Sequence, residues 1–581
     1  MNYKVYTRNQ EFNILEQVLY NRGIVSPQQM REFIAPDEKV VQSEYSLSNI
    51  EEAAKELCRN LAHQNKIYIQ VDSDCDGYTS SAVLINYLHR IFPATVENNI
   101  IYNVHEDKHH GINVDAIPEG VKLVIAPDSS SNENDLHKKL SERGIHIIVL
   151  DHHQAIADKS DPSIIVNNQM CNYPNKALSG VGIVYKFCKV LDNIFHVSYA
   201  DDYLDLVSLG MTADMMDLRE PETHYYIIKG AENIKNIFYN KMIEKQEYSM
   251  KGVVNPFTIS WYIAPLINAV TRSGTLDEKK MVFEAFLDYQ AIQVIPSTKR
   301  GAKGQDELKV EQALRLVTNI KSRQEKTKKD ILDKILPTID VESTDPILVI
   351  LFPEPIDENL NGLLANQLMG MFHKPTFVLN GYYDETKDND LYFRGSARGF
   401  ESAKVHDWRK YVEDSGCAEY AEGHEFAFGV SFEADSLEYF IEKTKQDLGI
   451  DNQSFYQVDF SYLTSDKFDK DILDLGHLQG LWGQNVQEPL VVIEKVALTQ
   501  NDIQLLGKGT LKITIPGHST SCIKFGGEDA YNDLIKHLPE VDSRIYVSLL
   551  GTCTVNEYYG NEYPQIKLKD YEITGVMEWY F

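Results

Sequence analysis

The chain has 581 residues, 43% of them hydrophobic and 25% charged, and carries a formal net charge of −29 at pH 7. This composition is typical of a globular protein of several domains, and the acidic excess argues against binding to nucleic acid unless a basic channel or bound cations offset it locally. The chain has no long apolar run, no signal-peptide core and no CxxC pair among its seven cysteines, which argues against a membrane span, a zinc knuckle and a disulfide scaffold and predicts a cytoplasmic protein.

The first part of the chain predicts a short helical segment followed by an α/β fold. Residues 1–45 contain two helical patterns, and from about residue 50 apolar strand patterns alternate with helical ones. The strands are predicted at KIYIQV, VKLVIAP, IHIIVL and SIIVNN, and the helix TSSAVLINYLHRIF follows the first of them. Apolar strands separated by helices predict a parallel sheet that is covered on both faces.

Three of the predicted strands end in acidic residues. The carboxyl ends of neighbouring parallel strands meet at one edge of the sheet, where ligands bind. We therefore expect these side chains to converge. Carboxylates repel one another, so their convergence predicts that a cation lies among them. The residues are Asp72, Asp74 and Asp76 after the first strand, Asp128 after the second, and Asp151, His152 and His153 after the third.

The convergent acids predict a metal site. Asp214, in the segment LVSLGMTADMMDL, is a further candidate, although an aspartate in such a segment is more often a cap or a turn residue. Carboxylates with one imidazole form a ligand set for Mn²⁺ or Mg²⁺, and the lack of Cys or multi-His spacing argues against Zn²⁺. Two such ions sharing a carboxylate would activate water and neutralise a phosphate oxygen, as in two-metal phosphoester hydrolysis.

The second half of the chain predicts a connecting helix, a smaller α/β unit and a β-rich module. Residues 299–330 are rich in Lys and Arg and have a helical period, which indicates either a solvated linker or the basic wall of a groove. The strands PILVILFP and PTFVLNG flank the helix NGLLANQLMGMFH and precede LYFRGSARGF. From about residue 450 short strands and turns recur, as in a small barrel.

The order of these motifs resembles that of the DHH phosphoesterases, and within them the RecJ-like single-strand-specific DNA exonucleases. It runs D-x-D-x-D-G, a single Asp, D-H-H and the Asp of GMTAD, within a resemblance that covers about residues 45–575. Further matching segments are VNNQMCNYPNKALSGVGIVYKF, IAPLINAVTR, RGSAR, EGHEFAFG, LWGQNVQEP and YPQIKLKDYEI. The resemblance implies an α/β fold with a helical lead-in at 1–45, a parallel-sheet DHH catalytic domain at 46–290, a long connecting helix at 291–340, a smaller α/β DHH-associated substrate-binding domain at 341–448 and an OB-like β-barrel at 449–581.

The resemblance also implies a role for each acidic or histidine side chain of the site. Asp128 would bridge two metal ions, Asp72 would support one of them as ligand or neighbour, and His153 would lie beside the scissile phosphate as hydrogen-bond donor or acid. The implied ligands are Asp74 and Asp128 for one Mn²⁺ or Mg²⁺ ion, and Asp76, Asp128, His152 and Asp214 for the other.

Other residues are implied to contact the substrate. A guanidinium fork fits phosphate oxygens, which favours Arg398 of the GSAR segment as a phosphate ligand. His105 stands where the family has an arginine near the DNA 5′ phosphate, and a neutral imidazole binds phosphate less firmly, so end selection and polarity are left open. The segment PDSSS also lacks the glycine that usually follows its aspartate, whereas every implied metal ligand is present. The implied substrate-binding residues are Ser396, Arg398, His424, Arg272, Asn268 and His105.

The favoured function is a Mn²⁺- or Mg²⁺-dependent 5′→3′ exonuclease that degrades single-stranded DNA to nucleoside 5′-monophosphates in DNA repair or recombination. We expect a monomer without membrane contact whose partners are single-stranded DNA and a single-strand-binding or other replication or repair protein. Two alternatives are a phosphodiesterase for short oligonucleotides or cyclic dinucleotides, and a catalytically silent scaffold in a replication or repair assembly. The β-rich module after residue 450 argues against the first of these, because DHH enzymes for small substrates usually end before it.

Overall fold

The computed structural model describes residues 1–106, 109–156, 158, 160–340, 343–384, 390–400, 404–449, 455–507, 509–541 and 543–577. The chain forms two compact units. The first unit comprises Met1–Tyr6 and Ser322–Val458, and the second comprises Thr7–Lys321 and Asp459–Phe581. The domain boundaries given above stay predictions.

A five-stranded parallel sheet forms the centre of the first half of the second unit. Alternate residues of its strands are buried in two separate hydrophobic clusters, so both faces are covered, as the apolar strand patterns predict. The edge strand Ile100–Val104 is not among the predicted strands. In spatial order the strands are Ile100–Val104, Lys66–Val71, Val121–Pro127, His146–Asp151 and Ile164–Asn167.

Helices surround this sheet, and the one that follows the first strand is buried along most of its length. The sequence predicts the helices by their apolar faces, with caps such as the Asp74 side chain at the start of Cys75–Ile91. The helices of this half are Ile14–Asn21, Pro27–Ile34, Ile50–Ala62, Cys75–Ile91, Pro93–Asn99, Asn134–Glu142, Gly180–Phe195, Leu204–Ala213, Pro221–Glu232, Ile237–Met250, Pro256–Thr258, Ala264–Ser273, Leu276–Phe286 and Asp288–Ala291.

The basic segment 299–330 is helical only from residue 309 onward. The helix Lys309–Ile335 has 27 residues and carries the chain from the second unit to the first. Before it, Val294–Pro296 and Asp306–Leu308 pair as a short antiparallel hairpin. Gly301 and Gly304 both have positive φ, at 85° and 81°. This left-handed backbone is incompatible with a helix, so the residues before 309 do not form the helix that the sequence period predicts.

The first unit contains a mixed five-stranded sheet. Its strands, in spatial order, are Ala418–His424, Ala427–Glu433, Asp390–Arg398, Thr376–Asp384 and Leu348–Phe352, of which only the last pair is parallel. The helices Glu358–Phe372, Trp408–Ser415 and Ala434–Leu448 belong to the same unit. At the start of the chain, Tyr3–Val5 pairs in parallel with Tyr456–Val458, a strand that the predicted helical lead-in does not include.

The C-terminal part of the second unit is a seven-stranded sheet with the helices Asp469–His477 and Glu528–Lys536. The predicted fold class, a parallel α/β domain followed by a smaller α/β unit and a β-rich module, is confirmed. Within the described ranges, no helix is long and apolar enough to cross a membrane. The strands in spatial order are Phe460–Leu463, Leu490–Leu498, Arg544–Tyr558, Asn561–Met577, Ser521–Lys524, Thr510–Thr514 and Ile503–Leu506.

Candidate metal centre

The turn after the strand Lys66–Val71 presents three aspartates within five residues. Asp72 is fully buried at the strand end, and Asp74 caps the following helix by accepting a hydrogen bond of 2.9 Å from the Gly77 amide. A side chain at Gly77 would clash with Asp72, because an added Cβ would lie 2.5 Å from the Asp72 Cβ. The glycine therefore lets the helix begin directly against the strand end, so that its first turn carries acids toward one place.

Asp76 is a buried carboxylate of which one oxygen accepts hydrogen bonds and the other does not. Ser179 Oγ donates to its Oδ1 at 2.9 Å, and the Val181 amide donates at 3.3 Å. Its Oδ2 is buried and has no hydrogen-bond partner among the described residues. Burial and the charge of Asp74 raise the pKa of Asp76 to about 7. A buried oxygen without a donor is costly for an anion, and a cation removes that cost.

Asp128 is the acid at the end of the second strand and lies at the centre of the site. It is 1% exposed and has a positive φ of 64°. Its Oδ1 lies 3.3 Å from His152 Nε2, and within the described ranges this oxygen accepts no hydrogen bond. His152 Nε2 is also 3.4 Å from Asp214 Oδ2. Asp214, the C-cap of the helix Leu204–Ala213, thus joins the acids of the strand ends.

Three overlapping groups of side chains have ligand atoms within 4.8 Å of one another. One group joins the strand-end acid and the helix-cap acid of the first motif with Asp128. A second joins acids from two helices with a histidine, and a third joins Asp128 with both histidines of the D-H-H segment. This donor set of oxygens and one or two imidazole nitrogens fits Mn²⁺ or Mg²⁺. The groups are Asp72–Asp74–Asp128, Asp76–His152–Asp214 and Asp128–His152–His153.

The electrostatics of these acids show how strongly they repel one another. Burial, followed by the charges of neighbouring aspartates, raises the pKa of Asp128 and of Asp214 well above the usual range. Burial also raises the pKa of Asp72, although a hydrogen bond with His110 opposes this effect. Structural ion pairs usually lower a carboxylate pKa, whereas this cluster stabilises the protonated form. Divalent cations are the groups that make such a cluster stable in its ionised form.

His153 is held by a buried carboxylate at the edge of the cluster. Asp151 Oδ1 lies 2.8 Å from His153 Nδ1, and the same oxygen accepts the amides of His152 and His153. This hydrogen bond raises the pKa of His153 to about 9. Burial alone would raise the pKa of Asp151, but its bonds with His153 hold it below its usual value. The His153 side chain is 54% exposed, so a protonated imidazole faces solvent beside the acids.

Two histidines between the strands Ile100–Val104 and Val121–Pro127 contact the site region, one expected and one that sequence reasoning missed. His105 is only 6% exposed, and its Nε2 lies 2.9 Å from the Gly111 carbonyl oxygen, so burial lowers its pKa. The His105 ring thus contacts the backbone of Gly111. The missed residue is His110, whose Nδ1 lies 2.6 Å from Asp72 Oδ2. Its side chain is 51% exposed, and no strand end or motif in the sequence marks it.

Arg272 and Asn268 lie one turn apart on the helix Ala264–Ser273, on the same side of it. Burial lowers the pKa of Arg272, while the charge of Asp74 raises it, which places the guanidinium within electrostatic range of the first-turn acids. No ion pair of Arg272 occurs in the described part of the chain. Arg272 therefore lies near the acid cluster in the second unit, and Asn268 shares its side of the helix.

The three remaining predicted residues lie together in the first unit. Arg398 is opposite Ala427, which in turn is opposite His424, so their side chains share one face of the sheet. Ser396, two residues before Arg398, shares that face. An added Cβ at Gly362 would lie 2.7 Å from Arg398 Nη2 and 3.6 Å from Ser396 Oγ, so both side chains lie over this glycine. The substrate roles of these residues stay predictions.

Two family models match the chain in the regions just described. Residues 66–211 match the DHH family, N-terminal domain, and residues 461–570 match the RecJ OB domain. A putative SPbeta prophage-derived single-strand DNA-specific exonuclease, YorK, of Bacillus subtilis (strain 168) is 34% identical over 588 residues, covering 100% of this chain and 99% of the relative. The single-stranded-DNA-specific exonuclease RecJ of the same strain is 23% identical over 97% of this chain and 68% of its own length.

Solved structures share the fold. The crystal structure of RecJ from Thermus thermophilus in complex with Mn²⁺ has a TM-score of 0.71 at 17% identity, covering 99% of this chain and 80% of that chain. The corresponding complex with Mg²⁺ has a TM-score of 0.66 at 16% identity, with coverage of 99% and 79%. The prophage relative matches over the full length, and the family models match the strand-end acids and histidines from Asp72 to His153 and the C-terminal module. The chain therefore belongs to the RecJ-like family of DHH proteins, the single-strand-specific DNA exonucleases.

Proposed function

We propose that the protein is a divalent-metal-dependent 5′→3′ exonuclease that hydrolyses single-stranded DNA to nucleoside 5′-monophosphates. The observation that carries this proposal is the pair of buried carboxylate oxygens, Asp76 Oδ2 and Asp128 Oδ1, that lack donors in the described structure and point to cations. The relatives are named single-strand-specific exonucleases, and two solved structures of the same fold contain Mn²⁺ or Mg²⁺.

The residues divide into two ligand sets around a shared carboxylate. Asp74 and Asp128 would hold one ion, with Asp72 beside them. Asp128 would also hold the second ion, together with carboxylates from two helices and one histidine. Bound divalent cations supply Lewis acidity, which lowers the pKa of water and offsets the charge of a phosphate. Within the groups of close ligand atoms, Asp128 occurs both with Asp72 and Asp74 and with His152, which supports its role as the bridge. The second set comprises Asp76, Asp128, His152 and Asp214.

His153 supplies the proton for the leaving group. Release of a nucleoside 5′-monophosphate requires cleavage of the bond between phosphorus and the 3′ oxygen, and that oxygen needs a proton as it leaves. A pKa of about 9 keeps the imidazole of His153 protonated at neutral pH. Asp151 orients the ring through Nδ1 and leaves Nε2 as the donor.

Polar and basic side chains other than the acids bind the substrate phosphates. Ser396, Arg398 and His424 share one face of the sheet in the first unit, where a hydroxyl, a guanidinium and an imidazole form a phosphate-binding set. Arg272, within electrostatic range of Asp74, would offset the repulsion between a phosphate and the acid cluster. Asn268 adds a neutral donor on the same side of that helix. These contacts provide the local positive charge that a chain of net charge −29 needs.

The test uses single strands labelled at either end and compared with duplexes, in Mn²⁺, Mg²⁺ and a chelator. We expect the label of a 5′-labelled strand to appear at once as mononucleotide, while a 3′-labelled strand shortens progressively. The reverse pattern would refute the polarity, and degradation that survives chelation would refute the metal requirement. Turnover of dinucleotides or cyclic dinucleotides alone would favour a small-substrate phosphodiesterase. A purified, folded protein without any activity would favour a scaffold.

A further inference from the structure

A pocket opens beside the helix end that carries Asp214. Its volume is about 280 Å³, near the lower end of the range of about 300–1,000 Å³ for small-molecule pockets. Thr212 and Met215, on either side of Asp214, both line it, and the other lining residues also belong to the second unit. Asp214 itself does not line the pocket, but a group bound there would contact residues within two positions of this candidate metal ligand.

One wall of the pocket is aromatic and exposed. Trp261 is 65% exposed, and its ring centroid lies 5.9 Å from that of Phe257. Trp261 belongs to the π-helical stretch Ile259–Ile263, and such wide helical turns frequently occur at functional sites. The wall thus offers a planar apolar surface to a planar ligand.

The mouth of the pocket contains a strained methionine. Met215 has a φ of 57° and is 62% exposed. The helix ends there in a Schellman arrangement, in which Met216 N donates to Met211 O at 3.1 Å. Glycine adopts this left-handed backbone at lower cost than methionine. Backbone strain that is kept beside a functional group points to a role for the side chain, and methionine packs well against flat rings.

Two lysines and one glutamate lie beside the aromatic residues of the pocket, with Glu488 and Lys569 in its lining. Lys567 and Lys569 come from the strand Asn561–Met577 of the C-terminal module. Lys567 Nζ lies 5.7 Å from the centroid of the Phe257 ring, and Lys569 lines the pocket. Burial lowers the pKa of Lys569, although Glu488 opposes this effect. Aromatic rings with lysines beside them provide the two contacts that a nucleotide of a single strand needs, a stacking surface for the base and a positive charge for the phosphate.

We propose that this pocket binds one unstacked nucleobase of the single strand, stacked against Trp261, while the strand is hydrolysed at the adjacent metal centre. The inference rests on the proposed function and adds a base contact to it. Stacking accepts any base, because every base has a π face, so the pocket would hold the strand without selecting a sequence. The base pairs of a duplex are stacked on one another and would not enter it, which favours single strands.

The test is a double-mutant cycle between the protein and the strand. All proteins carry Asp128→Asn to suppress hydrolysis, and fluorescence anisotropy gives the Kd of oligothymidylates with one abasic site at successive positions. Base–aromatic stacking predicts that Trp261→Ala weakens binding of the intact strand about 10-fold, while Trp261→Phe keeps most of the affinity. We expect one abasic position to weaken binding to the parent by a similar factor and to have no further effect on Trp261→Ala.

The control is Tyr248→Ala, because Tyr248 is a 98% exposed aromatic residue that does not line the pocket. Equal affinities of the parent and Trp261→Ala for every strand would overturn the inference, and would leave a hydrophobic side chain of a partner protein as the alternative occupant. Loss of affinity at all abasic positions alike would also overturn it. If the parent itself binds no strand, the proposed function fails as well, so the two failures are distinguishable.

Discussion

Gly180 lies directly against the carboxylate of Asp128. An added Cβ at Gly180 would be 2.3 Å from Asp128 Oδ1, far inside van der Waals contact. The preceding residue, Ser179, donates to Asp76, so this helix start holds two of the acids from one side. The same restriction applies at Gly210, where a Cβ would be 2.5 Å from Asp76 Oδ1. The acid cluster thus depends on close backbone approach, for which only glycine leaves room.

The first prediction concerns Gly180→Ala. We expect the new methyl group to displace Asp128 and to lower hydrolysis by about 100-fold or more, because shifts of about 1 Å in a catalytic group have effects of that size. Isothermal titration with Mn²⁺ should show a matching loss of metal affinity. Gly182→Ala is the control, since its Cβ would meet the flexible Met211 Cε at 2.5 Å. Equal losses in both variants would show a general effect on the helix.

The second prediction concerns the stability of the metal-free protein. The folded-state pKa of Asp76 is about 7, whereas an unfolded aspartate titrates near about 4. The folded parent, which here is the unsubstituted protein, therefore binds the proton more tightly than the unfolded chain does. It loses stability as the pH rises from about 4 toward 7. Asp76→Asn has no such proton and should gain about 2 kcal/mol over the parent between pH 5 and 7, because the slope is about 1.4 kcal/mol per unit near pH 5.5 and falls as the pH approaches 7.

Urea unfolding in a chelator at pH 5, 6 and 7 measures this difference. With Mn²⁺ present the parent should have the higher free energy of unfolding, because the ion stabilises its ionised form and binds Asp76→Asn poorly. A difference that stays constant with pH in the chelator would show that Asp76 does not carry the raised pKa.

The positions of the acids could be predicted from the sequence because they depend on local patterns. Apolar runs predict the strands, and parallel strands deliver their end residues to one edge. The supports of the acids could not be predicted. Ser179 contacts Asp76 across 103 residues of chain, and no local pattern relates the two. Asp214 is both the helix cap that the pattern favours and a neighbour of His152, so its environment, rather than its local sequence, distinguishes it.

The third prediction concerns His153→Gln. Loss of a general acid typically lowers the rate by about 10²–10⁴-fold, and glutamine cannot supply a proton to the leaving oxygen. We expect kcat to fall in this range while the KM and the Mn²⁺ affinity change little. His477→Gln is the matched control, because His477 forms an exposed pair with Glu562 at 3.2 Å in the C-terminal module. A loss of Mn²⁺ affinity in His153→Gln would instead assign this ring to the metal.

The fourth prediction concerns Arg398→Ala. A guanidinium that binds a phosphate should contribute one unit to the salt dependence of strand binding, so the slope of log K against log salt should fall by about 1. The affinity should drop about 10-fold, as for a charge-assisted hydrogen bond. Arg394→Ala is the control on the same strand, because Arg394 already pairs with Glu358 at 2.8 Å. An unchanged slope in Arg398→Ala would remove this residue from the phosphate contacts.

The fifth prediction separates two roles of His105. The family resemblance places this residue near the DNA 5′ phosphate, whereas the structure buries the ring against the Gly111 carbonyl oxygen at 2.9 Å. Burial lowers its pKa, so the imidazole is neutral at pH 7 and cannot attract a phosphate by charge. We expect His105→Ala to lower the free energy of unfolding by about 1–3 kcal/mol, because a buried carbonyl loses its donor.

The digestion rates of strands with a 5′ phosphate and with a 5′ hydroxyl show whether His105 also contacts the 5′ phosphate of the strand. The buried geometry predicts the same ratio of the two rates for the parent and for His105→Ala. His63→Ala is the control for the stability measurement, because His63 bonds to the Arg59 carbonyl oxygen on an exposed helix end. A ratio that changes in His105→Ala while stability stays constant would restore the phosphate contact, since a residue that only contacts the backbone of Gly111 cannot alter end selection without weakening the fold.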